Sequence, residues 1–273
     1  MARWNRLVHV KLLALDFDGV ISDSAPECFV VGFHTYLDLC PESRLALSAA
    51  ALRSGRAPEL LDVEDHPLYR PFVDLMPLGN RAEDFGIVLG ALEARAEIAD
   101  QASYDAFRAR FSEAWIETFH RRFYENRSAL AGEDPRGWER LMGTYPEFLA
   151  VLRRRSADVD LAIATAKDRV SVQALLQSYE IADLFPPDRI LDKETGVSKV
   201  AHLLHLRERF GFEFLDITFV DDKLNHLDSV ASLRVRCALA TWGYNGAREV
   251  ELAQSRGYLV CTLENVEAQL FGG

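Results

Sequence analysis

The chain has few cysteines and lacks the paired arrangements that carry metal or redox chemistry. Four of its 273 residues are cysteine, and none are spaced as Cys-x-x-Cys, which excludes a zinc knuckle and a thioredoxin-like motif. Cys237 and Cys261 lie in apolar stretches and are predicted to be buried thiols. This usage fits a reducing compartment, so we expect a cytoplasmic protein.

Long hydrophobic runs and an excess of positive charge are also missing. No stretch approaches ~18 uninterrupted apolar residues, and His9 and Lys11 interrupt the apolar residues near the N-terminus. We therefore expect neither a signal peptide nor a membrane span. Lys plus Arg number 31 against 42 Asp plus Glu, a formal net charge of −11. Such an acidic chain is a poor candidate for nucleic-acid binding, which depends on cationic contacts to phosphates; the sequence leaves the oligomeric state open.

Residues 8–20 and roughly 143–273 alternate short apolar strands with helical stretches, a pattern typical of a parallel sheet flanked by helices. The predicted strands are Val10–Leu15, Leu161–Thr165, Ile217–Val220, Cys237–Ala240 and Tyr258–Cys261. The predicted helices are Tyr145–Arg155, Asp168–Tyr179 with Asp168 as N-cap, and Ser198–Phe210 followed by Gly211 as a C-terminal glycine. These parts predict an α/β, Rossmann-like core.

Residues 25–142 have a different pattern, with no convincing strand. Helices are predicted at Leu45–Leu52 and Phe85–Ala99. Aromatic residues recur at steps of three and four between Tyr104 and Phe119, as on one amphipathic helix. Residues 132–137 resemble a turn that leads back to the sheet. We predict an inserted all-helical domain over 25–142, with 1–24 and 143–273 forming the core domain.

Polar residues stand where the predicted strands end. Asp16 and Asp18 follow the first strand, and Thr165 ends the second. Open α/β sheets bind ligands just beyond the carboxyl ends of their strands. One carboxylate could attack phosphorus and the other could protonate a leaving oxygen and later activate water. The Thr165 hydroxyl and the amide nitrogen of Ala166 are suitable donors to a phosphoryl oxygen.

A phosphoryl site also needs positive charge. Lys199, at the start of a predicted helix, is the first choice, with Lys193 as its main rival and Lys167 as a third possibility. Asp221 and Asp222 end the third strand, and like charges repel by about 4 kcal/mol at 4 Å with an effective dielectric near 20. The acidic cluster should therefore hold a proton or bind a cation, and oxygen ligands with a phosphate favour Mg²⁺.

Together these segments resemble the haloacid dehalogenase superfamily. The four motifs, in order, are matched by Asp16-Phe17-Asp18-Gly19-Val20, Thr165, Lys199 and Asp221-Asp222. The continuation from Ile21 to Glu27 resembles phosphoglycolate phosphatase and β-phosphoglucomutase relatives. The helical insertion lies where the family has its cap domain, so the resemblance implies a helical cap over 25–142.

The resemblance implies roles for the motif residues. Asp16 would be the nucleophile that becomes a phosphoaspartate, and Asp18 the general acid and base. Thr165 and Lys199 would hold the transferring phosphoryl group. The implied reaction is phosphoryl transfer rather than dehalogenation, because the dehalogenase branch lacks an acid at the position of Asp18.

The resemblance also implies a metal site. Mg²⁺ would be held by Asp16, the backbone carbonyl of Asp18 and Asp222, with Asp221 adjoining it directly or through water. Many relatives have a second acid four residues after the metal-binding aspartate, and this chain has His226 there. Close relatives also have a Lys-Pro pair that the chain lacks at Lys199.

The substrate is expected to be a small phosphorylated metabolite, with Asn80 and Arg81 as candidates for contacts from the cap. A Mg²⁺-dependent phosphatase is the favoured function. A phosphomutase with the same fold and a non-catalytic binding protein remain open. A signalling receiver domain is disfavoured because receivers have their acidic pair early and their lysine last.

Overall fold

The computed structural model describes residues 11–52, 57–79, 81–196 and 198–272. It divides into two compact units. The first holds the described residues up to Asp23 and from Thr144 onward, and the second holds Ser24–Gly143.

The first unit opens with strand β1 (Leu12–Leu15), whose four apolar side chains are all buried. Continuous burial is expected of a strand covered by helices on both faces. A short strand, β2 (Ser22–Asp23), follows. Between them Gly19 has a φ of +82°, and its N–H donates to the Ser22 carbonyl at 2.8 Å. This left-handed turn is one that glycine adopts without strain.

The second unit is built from helices packed around aromatic side chains. Its α-helices are α1 (Ala25–Leu39), α2 (Leu60–Glu64), α3 (Tyr69–Leu75), α4 (Ala82–Ala94), α5 (Gln101–Arg108), α6 (Glu113–Glu133) and α7 (Pro135–Leu141), and residues Arg44–Ala51 form a 3₁₀ helix. A chain of adjacent rings fills its interior, namely Phe33, Phe29, Phe72, Phe85 and Phe123. All five are buried, so aromatic burial is a large part of what stabilises this unit.

The rest of the first unit alternates strands and helices. Strand β3 (Gly143–Thr144) lies at the boundary between the units, and the strands after it are β4 (Asp160–Ala164), β5 (Ile190–Leu191), β6 (Ile217–Asp221), β7 (Arg236–Ala240) and β8 (Leu259–Cys261). The α-helices are α8 (Pro146–Arg155), α9 (Arg169–Ser178), α10 (Lys199–Phe210), α11 (Leu224–Ala231), α12 (Ala247–Ser255) and α13 (Val266–Phe271). Short 3₁₀ helices occur at Ala182–Leu184, Pro187–Arg189 and Phe214–Asp216.

Six strands form one sheet in the order β5-β4-β1-β6-β7-β8, and every pair is parallel. Strand β1 lies inside the sheet, with Leu15 opposite Ile163 on one side and Val220 on the other. The carboxyl ends of β4, β1 and β6 therefore meet at one edge. The predicted α/β class and parallel sheet are confirmed. Strands β2 and β3 form a separate two-stranded sheet.

Local expectations in the core are largely confirmed. Asp168 is the N-cap of α9, because its side chain accepts from the Ser171 N–H at 2.9 Å. Gly211 ends α10 with a φ of +75°. Cys237 and Cys261 are buried free thiols. The short strand β5 was not predicted, because two apolar residues carry too little periodic signal to distinguish a strand from a loop.

Several predictions for the insertion are wrong in detail. The helix predicted at Phe85–Ala99 runs over Ala82–Ala94, because Arg95 adopts a left-handed conformation. The aromatic stripe is divided between two helices, since Ser112 caps a new helix. The turn predicted over 132–137 is mostly helix, because Asp134 accepts from the Gly137 N–H and proline begins α7. The segment predicted as helix over Leu45–Leu52 is a 3₁₀ helix at Arg44–Ala51.

No helix among the described residues has the length and apolar character needed to cross a membrane.

Candidate active site

The site begins where β1 ends. Asp16 is buried, and its N–H donates to the Val220 carbonyl at 2.9 Å, which continues the pairing with β6. The Phe17 N–H donates to Asp16 Oδ1 at 2.7 Å. The backbone of the turn thus fixes the direction of this carboxylate.

Lys199 is a buried cation against this carboxylate. Its Nζ lies 2.7 Å from Asp16 Oδ1 and 3.4 Å from Asp221 Oδ2, and it donates to the Ala164 carbonyl at 2.7 Å. Burial lowers the pKa of the lysine, but the two carboxylates outweigh burial and raise it. The side chain therefore stays an ammonium that links the ends of β4, β1 and β6.

Asp221, the last residue of β6, is fully buried. It accepts from the Lys223 N–H at 2.8 Å, and its two oxygens lie 3.1 and 3.0 Å from His226 Nδ1. Burial works to raise the pKa of this carboxyl, but His226 and Lys199 outweigh it and hold the pKa below its usual range. Asp221 is thus an anion under ordinary conditions.

Asp222 lies in a cradle of close backbone contacts. Its Oδ2 accepts from the Tyr244 N–H at 2.8 Å, and Oδ1 has no hydrogen-bond partner within the described part of the chain. A Cβ on Gly19 would lie 2.6 Å from Asp222 Cγ, and one on Gly243 would lie 2.4 Å from Asp222 Cβ. Only glycine at these positions leaves room for the carboxylate.

Two of the clustered carboxyl groups hold protons more tightly than usual. Burial, with the charge of Asp221 acting in the same direction, raises the pKa of Asp16 to about 6 despite the opposing charge of Lys199. Burial also raises the pKa of Asp222 to about 7, to which the charges of Asp221 and Asp16 contribute. Burial thus makes full ionisation of the three clustered carboxyl groups costly.

Asp18 contacts a different lysine. Lys167 Nζ lies 3.0 and 3.3 Å from the two carboxylate oxygens of Asp18, and the Lys167 side chain is only 5% exposed. The Lys167 N–H donates to the hydroxyl of Thr165 at 3.1 Å. Hydrogen bonds thus connect Asp18 to Lys167 and Lys167 to Thr165. Lys193, the other candidate for the cation, is exposed.

Thr165 lies directly after β4. It is buried, with 1% of its surface exposed, and its N–H donates to the Leu191 carbonyl at 2.9 Å. Ala166, the next residue, is exposed. The structure thus puts the threonine hydroxyl at the same sheet edge as Asp16, with the Ala166 backbone beside it.

The side chains of Asp16, Asp221 and His226 could hold a metal ion, since one ligand atom from each lies within 4.8 Å of the others. Asp222 Oδ1 supports this, because a buried polar atom without a hydrogen-bond partner is costly. The residues present fit a divalent cation. The sequence analysis noted His226 only as the replacement for an acid, and its spacing after Asp222 was the signal that could have identified it.

The two candidate substrate residues give less information. Asn80 lies outside the described residues. Arg81 is the N-cap residue of α4 in the second unit, with an exposed side chain, and its N–H donates to Asp84 Oδ2 at 3.1 Å. Contact of either residue with a substrate stays a prediction.

Solved structures share the fold along nearly the whole chain. A predicted phosphoglycolate phosphatase from Haemophilus somnus 129PT is 17% identical, with a TM-score of 0.59 and coverage of 96% of this chain and 98% of that one. A predicted phosphatase from Clostridium acetobutylicum is 14% identical, with a TM-score of 0.61 and coverage of 96% and 98%. A haloacid dehalogenase-like family protein from Streptococcus pneumoniae is 15% identical, with a TM-score of 0.57 and coverage of 96% and 99%.

No curated protein sequence matches the chain significantly. Residues 10–233 match the family model described as haloacid dehalogenase-like hydrolase. This match spans most of the sheet and the whole inserted helical unit, and it includes every residue of the site described above except those that follow β7. The chain therefore belongs to the haloacid dehalogenase-like hydrolase family.

Proposed function

We propose that the chain is a Mg²⁺-dependent phosphatase that hydrolyses a small phosphorylated metabolite through a phosphoaspartate on Asp16. The observation that carries the proposal is the contact of the buried Lys199 ammonium with Asp16 Oδ1 at 2.7 Å, with Asp221 at 3.4 Å. A carboxylate nucleophile beside a fixed cation suits attack on a phosphate, whose own negative charge otherwise repels the attacking anion.

In the first step a carboxylate oxygen of Asp16 forms a bond to phosphorus, and the bond from phosphorus to the ester oxygen breaks. Asp18 gives its proton to that oxygen, so the alcohol leaves neutral. In the second step water attacks the phosphorus of the phosphoaspartate and gives a proton to the Asp18 carboxylate. Orthophosphate leaves and Asp16 is restored.

The remaining residues bind and orient the phosphoryl group. Lys199 supplies a positive charge, and the Thr165 hydroxyl with the Ala166 N–H supplies neutral donors. Lys167 orients Asp18 through the contacts at 3.0 and 3.3 Å. Holding reacting groups in place in this way removes much of the entropic cost of the reaction.

The metal would be held by carboxylates at the end of β1 and β6, chiefly Asp16, Asp221 and Asp222, with the backbone carbonyl of Asp18. When bound, Mg²⁺ supplies positive charge that offsets the charge on the phosphoryl oxygens. Both Asp221 and Asp222 are candidates for the direct ligand. The family resemblance favours Asp222, whereas the cluster with Asp16 and His226 favours Asp221.

We also propose that residues 25–142 form the helical cap of the family and that residues 1–24 and 143–273 form the catalytic core. The helical content of the second unit supports this division. Closure of a cap would exclude water in the first step and bring residues such as Arg81 to the substrate. The free thiols support a cytoplasmic location.

The test is a screen of phosphorylated metabolites with Mg²⁺, with inorganic phosphate as the readout. Phosphoglycolate comes first because the name of the Haemophilus somnus protein points to it. Asp16→Asn should abolish turnover. It should also abolish the phosphoryl label that remains on the protein when a reaction with labelled substrate is quenched in acid. Asp188→Asn, at an exposed aspartate, should change neither. Full activity in Asp16→Asn contradicts the nucleophile assignment. Phosphoryl transfer between sugar phosphates without phosphate release would favour a mutase, and no reaction with any ester would favour a binding protein.

A further inference from the structure

The metal site that the proposed function requires has one feature that sets it apart from an all-oxygen Mg²⁺ site. His226 Nδ1 lies 3.0 Å from Asp221 Oδ2 and 4.0 Å from Asp16 Oδ2. In an octahedral site with metal–ligand distances of about 2.1 Å, as for Mg²⁺, adjacent ligand atoms lie about 3 Å apart and opposite ones about 4.2 Å apart. Both distances from the imidazole nitrogen match such an ion, and one ligand atom from each of the three side chains lies within 4.8 Å of the others.

The backbone fixes the imidazole at this position. Helix α11 begins at Leu224, three residues after the end of β6, and the His226 N–H donates to the Lys223 carbonyl at 3.1 Å. His226 therefore lies in the first turn of the helix that follows the acidic pair. About a third of its side chain is exposed, at 32%, which leaves a route for an ion from solvent.

We infer that His226 is a direct nitrogen ligand of the catalytic metal, and that the site consequently binds Mn²⁺ more tightly than Mg²⁺. The inference rests on the proposed function only for the presence of a divalent ion at Asp16. Imidazole suits first-row transition metals, and Mg²⁺ prefers oxygen ligands. The two carboxylates keep the site suited to an octahedral ion, for which Mn²⁺ is the transition-metal counterpart of Mg²⁺.

A simple ion pair between His226 and Asp221 is the competing explanation for this geometry. Such a pair accounts for the contact at 3.0 Å, but it involves only two of the three groups. It also leaves Asp16, whose Oδ2 is 4.0 Å from the imidazole, outside hydrogen-bond distance. A divalent ion bound by Asp16, Asp221 and His226 explains why three different elements direct ligand atoms to the same point.

The first measurement is spectroscopic and uses the full chain, stripped of metal and loaded with Mn²⁺ alone. Pulsed electron paramagnetic resonance should detect hyperfine coupling from one directly bound imidazole nitrogen. In His226→Asp this coupling should disappear while Mn²⁺ still binds, because the new carboxylate supplies an oxygen ligand. His205→Asp, at a half-buried histidine of the same core on α10, should retain the coupling.

The second measurement is calorimetric. Titrations of the metal-free protein with Mn²⁺ and with Mg²⁺ give the ratio of the two dissociation constants. Wild type should favour Mn²⁺, and His226→Asp should reduce this preference at least about tenfold, because it removes the nitrogen that distinguishes the two ions. His205→Asp should leave the ratio at the wild-type value.

Bound Mn²⁺ without nitrogen coupling in the wild type overturns the inference, as does failure to bind Mn²⁺. If circular dichroism shows that His226→Asp does not fold, the presence or absence of nitrogen coupling in the wild-type spectrum tests the inference. Neither measurement needs a substrate. An active phosphatase without nitrogen coupling therefore contradicts this inference alone, and nitrogen coupling in a protein that hydrolyses no phosphate ester contradicts the proposed function alone.

Discussion

Three lysines were candidates for the cation of the site, and their surroundings separate them. Lys199 lies against the carboxylates of Asp16 and Asp221, Lys167 lies against Asp18, and Lys193 is exposed. The spacing of these residues in the chain gave no such distinction, because burial of an amine depends on what packs over it. At the residue scale the partner, more than the residue type, determines the role.

Replacement of each lysine by methionine should test these roles. Lys199→Met should lower activity at least about 100-fold and lower the free energy of unfolding by about 3 kcal/mol, because it leaves buried carboxylates unpaired. Lys167→Met should lower kcat at least about tenfold through the loss of Asp18 positioning. Lys193→Met is the control and should match wild type in steady-state kinetics and in urea unfolding; a loss of activity there would shift the assignment to Lys193.

Gly19 combines a left-handed backbone with contact to a metal-site carboxylate. Gly19→Ala should cost about 1–2 kcal/mol for the conformation alone, and its Cβ would displace Asp222, whose Cγ lies 2.6 Å from that position. Gly211→Ala is the matched control, since Gly211 has a φ of +75° and nothing within 4 Å of an added Cβ. We expect both variants to lose stability but only Gly19→Ala to lose metal affinity in calorimetric titration. Equal metal affinity in the two variants would argue against the cradle.

At the scale of elements, the starts of two helices position Lys199 and His226. Helix α10 begins at Lys199, and His226 lies in the first turn of α11. The N-cap of α10, Ser198, accepts from the Ala201 N–H at 3.2 Å. A frayed first turn would move the ammonium, so local helix capping is linked to the geometry of the site.

Ser198→Ala should therefore affect both stability and activity. Loss of the cap costs about 1 kcal/mol, and displacement of Lys199 should lower kcat at least about threefold. Ser112→Ala is matched, because Ser112 caps α6 in the second unit with the same distance of 3.2 Å to the Trp115 N–H. Thermal unfolding should show similar losses for the two variants, with kcat lowered only in Ser198→Ala. A similar loss of kcat in both would mean that the effect is global destabilisation.

At the scale of the whole molecule, the buried acidic cluster lowers the free energy of unfolding of the metal-free protein as the pH rises. The folded-state pKa values of Asp16 and Asp222 are raised to about 6 and about 7, against about 3.9 in an unfolded chain. Between about pH 4 and 7 the folded protein thus holds protons that the unfolded chain has released. The contribution of these groups to the free energy of unfolding is therefore lost as the pH rises through this window.

Asp222→Asn should make this effect visible. In metal-free protein the variant should be more stable than wild type, and the difference should grow by about 1–3 kcal/mol from pH 5 to pH 8, since one unit of pKa shift is worth about 1.4 kcal/mol. His66 and His202, whose pKa values burial lowers, act in the opposite sense on both curves and cancel in the difference. Asp188→Asn should give a difference that does not vary with pH in urea unfolding. A flat difference for Asp222→Asn would contradict the raised pKa.

The sequence by itself determined the α/β class and the carboxyl ends of the main strands to within one residue, because strand periodicity and a polar residue after an apolar run are local signals. It also predicted that Asp16, Thr165 and Asp221-Asp222 follow those strands. Helix boundaries in the insertion were predicted less accurately than strand ends, because they depend on caps such as Ser112 and Asp134.

Only the tertiary structure decided which charges meet. The order β4-β1-β6 brings together the ends of strands that lie far apart in the chain. The same packing excludes water from Lys199, directs Lys167 to Asp18, and puts His226 beside Asp16 and Asp221. Local periodicity cannot specify these pairs, because their energies depend on distance and burial in the folded protein.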